Sequence, residues 1–147
     1  KRCLVGSEMC IRDRGTGAAS KLALNQLIAS LTHGYSLALR LIQFSGLEVD
    51  RFMEVLRPSA LYAPTVDKKL DRMLSQHYGD PNFSTGLLRK DLLLFLREAE
   101  LAGVDASALE GLACLLSRAD GTELDDGDYS ALHEFTDARS SENGGSV

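Results

Sequence analysis

The chain has 147 residues, a formal net charge of −5 at neutral pH, 44% hydrophobic residues and 25% charged residues, an ordinary composition for one globular domain with a buried core. The acidic balance argues against a nucleic-acid partner, since such proteins normally carry a basic face, and no apolar run is long enough for a membrane span. The three cysteines show no metal-ligand spacing, so we expect no metal site and a reduced, cytoplasmic setting.

The first fourteen residues look foreign to the rest of the chain, because they show no clear helical or strand period. Residues 7–14 read SEMCIRDR, which resembles the translation of a transposase adapter used in preparing DNA sequencing libraries. We therefore expect 1–14 to be a non-native segment and leave it out of the fold prediction. The alternative is a genuine short N-terminal arm.

The rest of the chain is predicted to be helical. Apolar residues cover nearly every face of a long helix expected over 18–44, and Gly46 is its natural end. Shorter helices are predicted over 49–56, 65–74, 86–102, 106–119 and 129–136, with a loop over 77–83. Since no alternating strand of useful length is present, the predicted fold class is all-α, a helical bundle around one long central helix. This domain is expected to span 15–137, followed by a disordered tail at 138–147 that is rich in Ser and Gly.

The start of the long helix is the most informative stretch. Lys21 and Asn25 lie four residues apart, so they share one face of a helix that is otherwise almost entirely apolar. A lysine and an asparagine buried together need hydrogen-bond partners, because stranding them is costly. If the partner is a ligand, the helix carries a site. The alternative is that Lys21 extends its ammonium into water from the first helical turn.

Two glycines, Gly15 and Gly17, precede this pair in the run GTGAASK at 15–21. A phosphate-binding P-loop needs glycine immediately before the lysine and Ser or Thr after it, whereas this chain has serine before and leucine after. The P-loop is therefore excluded. The glycines either allow a close approach of backbone to a ligand or only mark a loop before the helix.

Four motifs follow one another along the chain. They are Gly15-x-Gly17-x-x-x-Lys21-x-x-x-Asn25, then Gly46-Leu47-Glu48, then Phe83 with Leu87-Leu88-Arg89-Lys90-Asp91-Leu92, and finally Asp128-Tyr129-Ser130-Ala131. Their order resembles the C-terminal domain of the β-hydroxyacid dehydrogenase family, which includes 3-hydroxyisobutyrate dehydrogenase and related NAD(P)-dependent enzymes. The resemblance covers residue 15 to about residue 136 and implies a bundle like that of the 6-phosphogluconate dehydrogenase C-terminal domain. Leu24 stands where 6-phosphogluconate dehydrogenases themselves carry histidine, which argues against a sugar-phosphate substrate.

The resemblance implies a substrate site in an enzyme that transfers hydride between a nicotinamide and a small β-hydroxyacid. Lys21 would be the catalytic general acid when the carbonyl is reduced. Asn25 would hydrogen-bond the hydroxyacid or semialdehyde substrate. Gly15 and Gly17 would let backbone approach the substrate carboxylate, where a Cβ would clash.

The same resemblance implies a cofactor site for NAD or NADP. Lys90 would contact the dinucleotide, Asp91 would support it through hydrogen bonding, and Phe83 would pack near the cofactor. The alternative is that Lys90 and Asp91 belong to a solvated helix face. Asp128 and Ser130, from the last motif, are better explained as a helix N-cap than as a site.

The family's Rossmann domain, with its Gly-x-Gly-x-x-Gly loop, is missing from this chain. We therefore expect a truncated enzyme, inactive alone, whose partners are the substrate, a Rossmann domain and further copies of itself in a homo-oligomer. The alternative function is a non-enzymatic all-α dimerisation module, in which Lys21 and Asn25 are incidental.

Overall fold

A computed structural model describes the backbone of residues 3–141 and the side chains of residues 15–139. This part of the chain contains no β-strand, only an isolated bridge between Ser84 and Asp128. Its seven α-helices are α1 (Cys3–Ser45), α2 (Val49–Leu56), α3 (Pro64–Ser75), α4 (Thr85–Leu101), α5 (Glu110–Ser117), α6 (Glu123–Asp126) and α7 (Leu132–Phe135). The all-α prediction is confirmed, and none of these helices has the length and hydropathy to cross a membrane.

Helix α1 is longer than the sequence predicts. It begins at Cys3 rather than near residue 18, and its 43 residues extend about 65 Å. Gly15 and Gly17 therefore lie inside a helix, and their interpretation as a loop marker is wrong. Each glycine costs a helix only about 1 kcal/mol, and no proline interrupts the segment. The non-native origin of residues 1–14 stays a prediction, because a helical backbone does not bear on it.

The predicted helix ends agree with the observed ones where a specific side chain or glycine sets them. Gly46 adopts a φ of +76°, a left-handed conformation that glycine tolerates, and α1 stops there. The Ser84 hydroxyl accepts a hydrogen bond from the Leu87 N–H at 3.2 Å and caps the start of α4. The Asp105 carboxylate accepts a bond from the Ser107 N–H at 3.0 Å.

The C-terminal third is more broken than predicted. The helix expected over 106–119 divides into a 3₁₀ helix at Ser107–Leu109 and α5, and the one over 129–136 into a 3₁₀ helix at Tyr129–Ala131 and α7. A further 3₁₀ helix occupies Ala138–Ser141, where the sequence predicts the beginning of a disordered tail. The remainder of that predicted tail, 142–147, lies outside the described residues.

The core consists of two clusters, and α1 contributes to both. The first lies between α1, α4, α5 and α7 and contains Ala29, Leu88, Leu92, Leu112, Ala113, Leu116, Tyr129 and Leu132. The second lies between α1, α2 and α3 and contains Leu39, Met53, Leu56, Val66, Leu70 and Met73. The long helix therefore takes part in both halves of the domain, and α3 also contacts the first half through the 3₁₀ helix at 129–131.

Candidate functional site

Lys21, Asn25 and Asp91 come together where α1 packs against α4. The Asn25 Nδ2 donates a hydrogen bond to the Asp91 Oδ2 at 2.6 Å. The Lys21 Nζ lies 3.2 Å from the same carboxylate oxygen. The i, i+4 spacing places the lysine and the amide on one face of α1, and α4 presents the carboxylate to that face. Two residues predicted for the substrate site and one predicted for the cofactor site thus form a single cluster.

The cluster is open on the lysine side. The Lys21 side chain is 66% exposed, whereas the Asp91 side chain is 8% exposed, and Asn25 is half-buried. The lysine and the asparagine are therefore not buried together: the Lys21 side chain extends largely into water, in agreement with the alternative interpretation, and its catalytic role stays a prediction. The Lys21 ammonium is accessible to a ligand, and it is paired with the Asp91 carboxylate, which is itself buried.

Gly15 and Gly17 precede this cluster on α1, and both are exposed. A Cβ placed on either glycine would meet no atom of the described chain within 4 Å. The structure therefore gives no steric reason for a glycine at either position, and the substrate-binding role of both glycines stays a prediction. Gly17 lies one turn before Lys21, on the same face of α1.

Phe83 and Lys90 lie apart from these contacts. The Phe83 ring is half-buried and packs edge-on against Tyr129, with ring centroids 6.1 Å apart. Lys90 is exposed on α4, next in sequence to the buried Asp91. An exposed ammonium such as that of Lys90 is the kind of group that pairs with a dinucleotide phosphate, so the residue type fits NAD or NADP, and its contact with the cofactor stays a prediction.

A second lysine–aspartate pair was not predicted from the sequence. The Lys69 Nζ on α3 lies 2.6 Å from the Asp128 Oδ2, and it also lies 4.5 Å from the centre of the Tyr129 ring. Asp128 also accepts hydrogen bonds from the backbone N–H and hydroxyl of Ser130, which confirms the N-cap interpretation. The feature of the sequence that could have indicated this pair is the position of Lys69, which shares the apolar face of α3 with Val66 and Met73.

The Asp128 carboxyl is fully buried, which by itself raises its pKa. The hydrogen bonds from Lys69 and Ser130 outweigh this effect, so the pKa of Asp128 is lower than its usual value. The carboxylate is therefore charged and fully engaged inside the fold. This pair connects α3 to the 3₁₀ helix at 129–131 and has no open side for a ligand.

A third polar group lies where α7 contacts α1. His133 is buried, and its burial, together with the nearby Arg40 charge, lowers its pKa to about 4. The Arg40 Nη2 donates to the His133 carbonyl oxygen at 2.9 Å. In the part of the chain that the structure describes, no group of three or more His, Cys, Asp or Glu residues is arranged to hold a metal ion.

Comparisons with known proteins agree with the motifs. A family model described as NAD-binding of NADP-dependent 3-hydroxyisobutyrate dehydrogenase matches residues 15–136. An Arabidopsis thaliana protein, named probable 3-hydroxyisobutyrate dehydrogenase-like 1, mitochondrial, is 33% identical over 110 residues, which cover 75% of this chain. The chain spans only 32% of the length of that relative. The family match confirms the predicted resemblance and supports NAD or NADP as the cofactor. Residues 15–136 thus place the chain in the 3-hydroxyisobutyrate dehydrogenase family, to which it belongs through the family's NAD-binding domain.

Proposed function

We propose that the chain is the helical domain of an NAD(P)-dependent oxidoreductase that interconverts a small β-hydroxyacid and its semialdehyde. The observation that carries this proposal is the convergence of Lys21 and Asn25 on the Asp91 carboxylate, with the ammonium left open to a ligand. Family membership supplies the reaction class. The proposal includes a Rossmann domain that binds the dinucleotide together with this chain.

A dinucleotide bound by this domain and a Rossmann domain would supply hydride for reduction of the carbonyl carbon and would accept it in the reverse direction. Lys21 gives a proton to the carbonyl oxygen during reduction and receives the hydroxyl proton during oxidation. Asn25 hydrogen-bonds the substrate beside the lysine. Gly15 and Gly17 leave room along α1 for the substrate carboxylate.

The cofactor side of the proposal rests on α4 and the loop before it. Lys90 pairs its exposed ammonium with a negative group of the dinucleotide, and Phe83 supports that surface from inside the fold. The cytoplasmic setting expected from the cysteines remains a prediction, and the relative is named as a mitochondrial protein.

The decisive experiment replaces Lys21 by methionine in this chain joined to a Rossmann domain of the family. Removing the proton donor is expected to lower kcat by roughly 10²–10⁴-fold with the fold intact by circular dichroism. The matched control is Lys68→Met, an exposed lysine on α3 that takes no part in the site. Equal turnover by the Lys21→Met variant and the parent would refute the proposal.

The 147-residue chain alone is expected to be inactive, because the proposed reaction needs the dinucleotide held between two domains. The measurement is absorbance of NADH and NADPH at 340 nm with a panel of β-hydroxyacids and semialdehydes. Any turnover that scales with chain concentration and disappears in the Lys21→Met variant would contradict this expectation.

A second function, self-association, is favoured by the outer face of α1. Leucines on this face are exposed at Leu24, Leu27, Leu31 and Leu41, and the small residues Gly34 and Ala38 continue the same stripe at alternating steps of three and four. That spacing is typical of a helix that pairs with another helix, and small residues permit a close approach. We propose that a second copy of the chain covers this stripe, as expected for a homo-oligomer.

Sedimentation equilibrium tests the self-association. The chain is expected to be dimeric and its Leu27→Glu variant monomeric, because a charge would be buried in the interface. Leu101→Glu, on an exposed position of α4, is the control and should leave the dimer intact. A monomeric parent chain would contradict the second function.

A further inference from the structure

Asp91 differs from the residues around it because its buried side chain on α4 reaches two groups on another helix. Both contacts are made to one atom, the Oδ2, at 2.6 Å from the Asn25 Nδ2 and 3.2 Å from the Lys21 Nζ. We infer that Asp91 is a positioning residue, which fixes Lys21 and Asn25 as a pair of donors aimed at one oxygen atom of the substrate. The inference rests on the proposed function of Lys21 and specifies how the site is built.

The orientation of the Asn25 amide follows from the chemistry of its partner. An ionised carboxylate only accepts hydrogen bonds, so the amide must turn its Nδ2 and not its Oδ1 toward Asp91. Asn25 then uses one N–H for Asp91 and keeps one, whereas the Lys21 ammonium is paired with the same oxygen by charge and has three N–H groups. Two donor atoms therefore lie close to one carboxylate oxygen with hydrogens available for a ligand.

Two adjacent donors suit an oxygen atom on which negative charge develops. When hydride reaches the carbonyl carbon, the electron pair of the C=O π bond moves to the oxygen, and Lys21 supplies the proton that completes the hydroxyl. Donors that are held in place before the reaction stabilise this charge without reorganising. A carboxylate that pins both donors is therefore a direct contribution to the geometry of the site.

The alternative role of Asp91, support of Lys90 and the cofactor, involves a different face of α4. Neighbouring residues on a helix point in different directions, and here Lys90 is exposed whereas Asp91 is buried against α1. The side-chain contacts of Asp91 lie on α1. Loss of Asp91 should thus affect the chemical step and not the binding of NAD(P)H.

The first test uses the 147-residue chain and nuclear magnetic resonance. Hydrogen exchange of the Asn25 side-chain amide should be slower than that of Asn82, an exposed asparagine in the loop before α4. The Asp91→Asn variant should remove the difference, because an amide partner no longer fixes the orientation of Asn25. Equal exchange of the two amides in the unsubstituted chain would overturn the inference, whatever the variant does.

The second test compares kinetics of the enzyme completed with a Rossmann domain. Asp91→Asn is expected to lower kcat by about 10²-fold, the usual effect of a small misplacement, with an unchanged KM for NAD(P)H. Asp71→Asn, an exposed acid on α3, should leave both constants unchanged. A raised KM for NAD(P)H with retained kcat, or no change in either, would overturn the inference.

The two proposals fail in distinguishable ways. If Lys21→Met retains full turnover, the proposed function fails, whereas the hydrogen-exchange result on Asn25 is unaffected. If Lys21→Met is inactive and Asp91→Asn is fully active, the function stands and the positioning role of Asp91 is refuted.

Discussion

Among the residues that the structure describes, two lysine–aspartate pairs connect distant segments of the chain. They have the same functional groups but differ in burial and in distance. In the open pair, Lys21 and Asp91 lie 3.2 Å apart and the lysine side chain is 66% exposed. In the closed pair, Lys69 and Asp128 lie 2.6 Å apart and their side chains are 12% and 0% exposed. The same two functional groups thus occur once at a surface and once inside the fold.

The difference shows how surroundings decide what an ion pair can do. In the closed pair, Asp128 also accepts hydrogen bonds from Ser130, and the Lys69 ammonium lies over the face of the Tyr129 ring, so folding replaces the water around both charges with fixed partners in the protein. Removing one partner from such a pair strands a buried charge. The open pair contributes little to stability, because the Lys21 side chain is largely in water, and for that reason the lysine remains available to a ligand.

The largest stability effect is expected from Asp128→Ala. This change leaves the Lys69 ammonium without its partner and removes the N-cap of the 3₁₀ helix at 129–131, so the free energy of unfolding should fall by about 3 kcal/mol. Urea unfolding measured by circular dichroism checks it. If Asp128→Ala lowered the free energy of unfolding by no more than Asp91→Ala does, the proposed difference between the two pairs would be refuted.

Acidification should weaken the closed region in two stages. The folded pKa of His133 is about 4, below the ordinary value of 6.5, so the unfolded chain binds this proton first. The stability that neutral His133 confers is complete well above pH 6.5 and falls by about 3 kcal/mol as the pH drops from 6.5 through 4. Because the pKa of Asp128 is also lowered, its contribution is present above pH 3.8 and is lost as the pH falls through its folded value.

Urea unfolding at a series of pH values between 7 and 3 measures this dependence. The variant His133→Gln should flatten the curve between pH 6.5 and 4 and leave the steeper loss at lower pH in place. An unchanged slope in that variant would show that a different group is responsible.

The smallest effect is expected from Lys21→Met, measured as stability and not as activity. Since the ammonium is largely exposed, the loss of its contact with Asp91 should change the free energy of unfolding by at most about 0.5 kcal/mol. Thermal unfolding of the chain and the variant side by side checks this. A loss comparable to that of Asp128→Ala would show that the two pairs are energetically alike.

The sequence was informative about features that depend on local spacing. The helices, the Ser84 cap and the shared face of Lys21 and Asn25 all follow from residues a few positions apart. Contacts between distant segments were not predictable in this way. Asp91 meets Asn25 across 66 positions and Lys69 meets Asp128 across 59, and no period in the sequence encodes such distances.

The start of α1 was missed for a related reason. Two glycines and an irregular pattern over 3–14 lower the local preference for helix, but they cannot stop a helix that is already anchored further along. Similarly, the pattern could not show that Lys21 is exposed, because exposure depends on which helices pack against α1. The roles of Phe83 and Lys90 remain predictions for the same reason, since they depend on a domain and a ligand outside the chain.

The continuity of α1 has a mechanical consequence. Lys21 belongs to the same unbroken helix as Leu39, which lies 18 positions further along, or about 27 Å, in the cluster formed with α2 and α3. Because the helix is continuous, a rotation of one end about the helix axis also rotates the side chains at the other end. Repacking Met53 or Leu70 would therefore turn the Lys21 side chain through a small angle, so residues of the second core cluster would influence the orientation of the amine to which we assign the proton transfer.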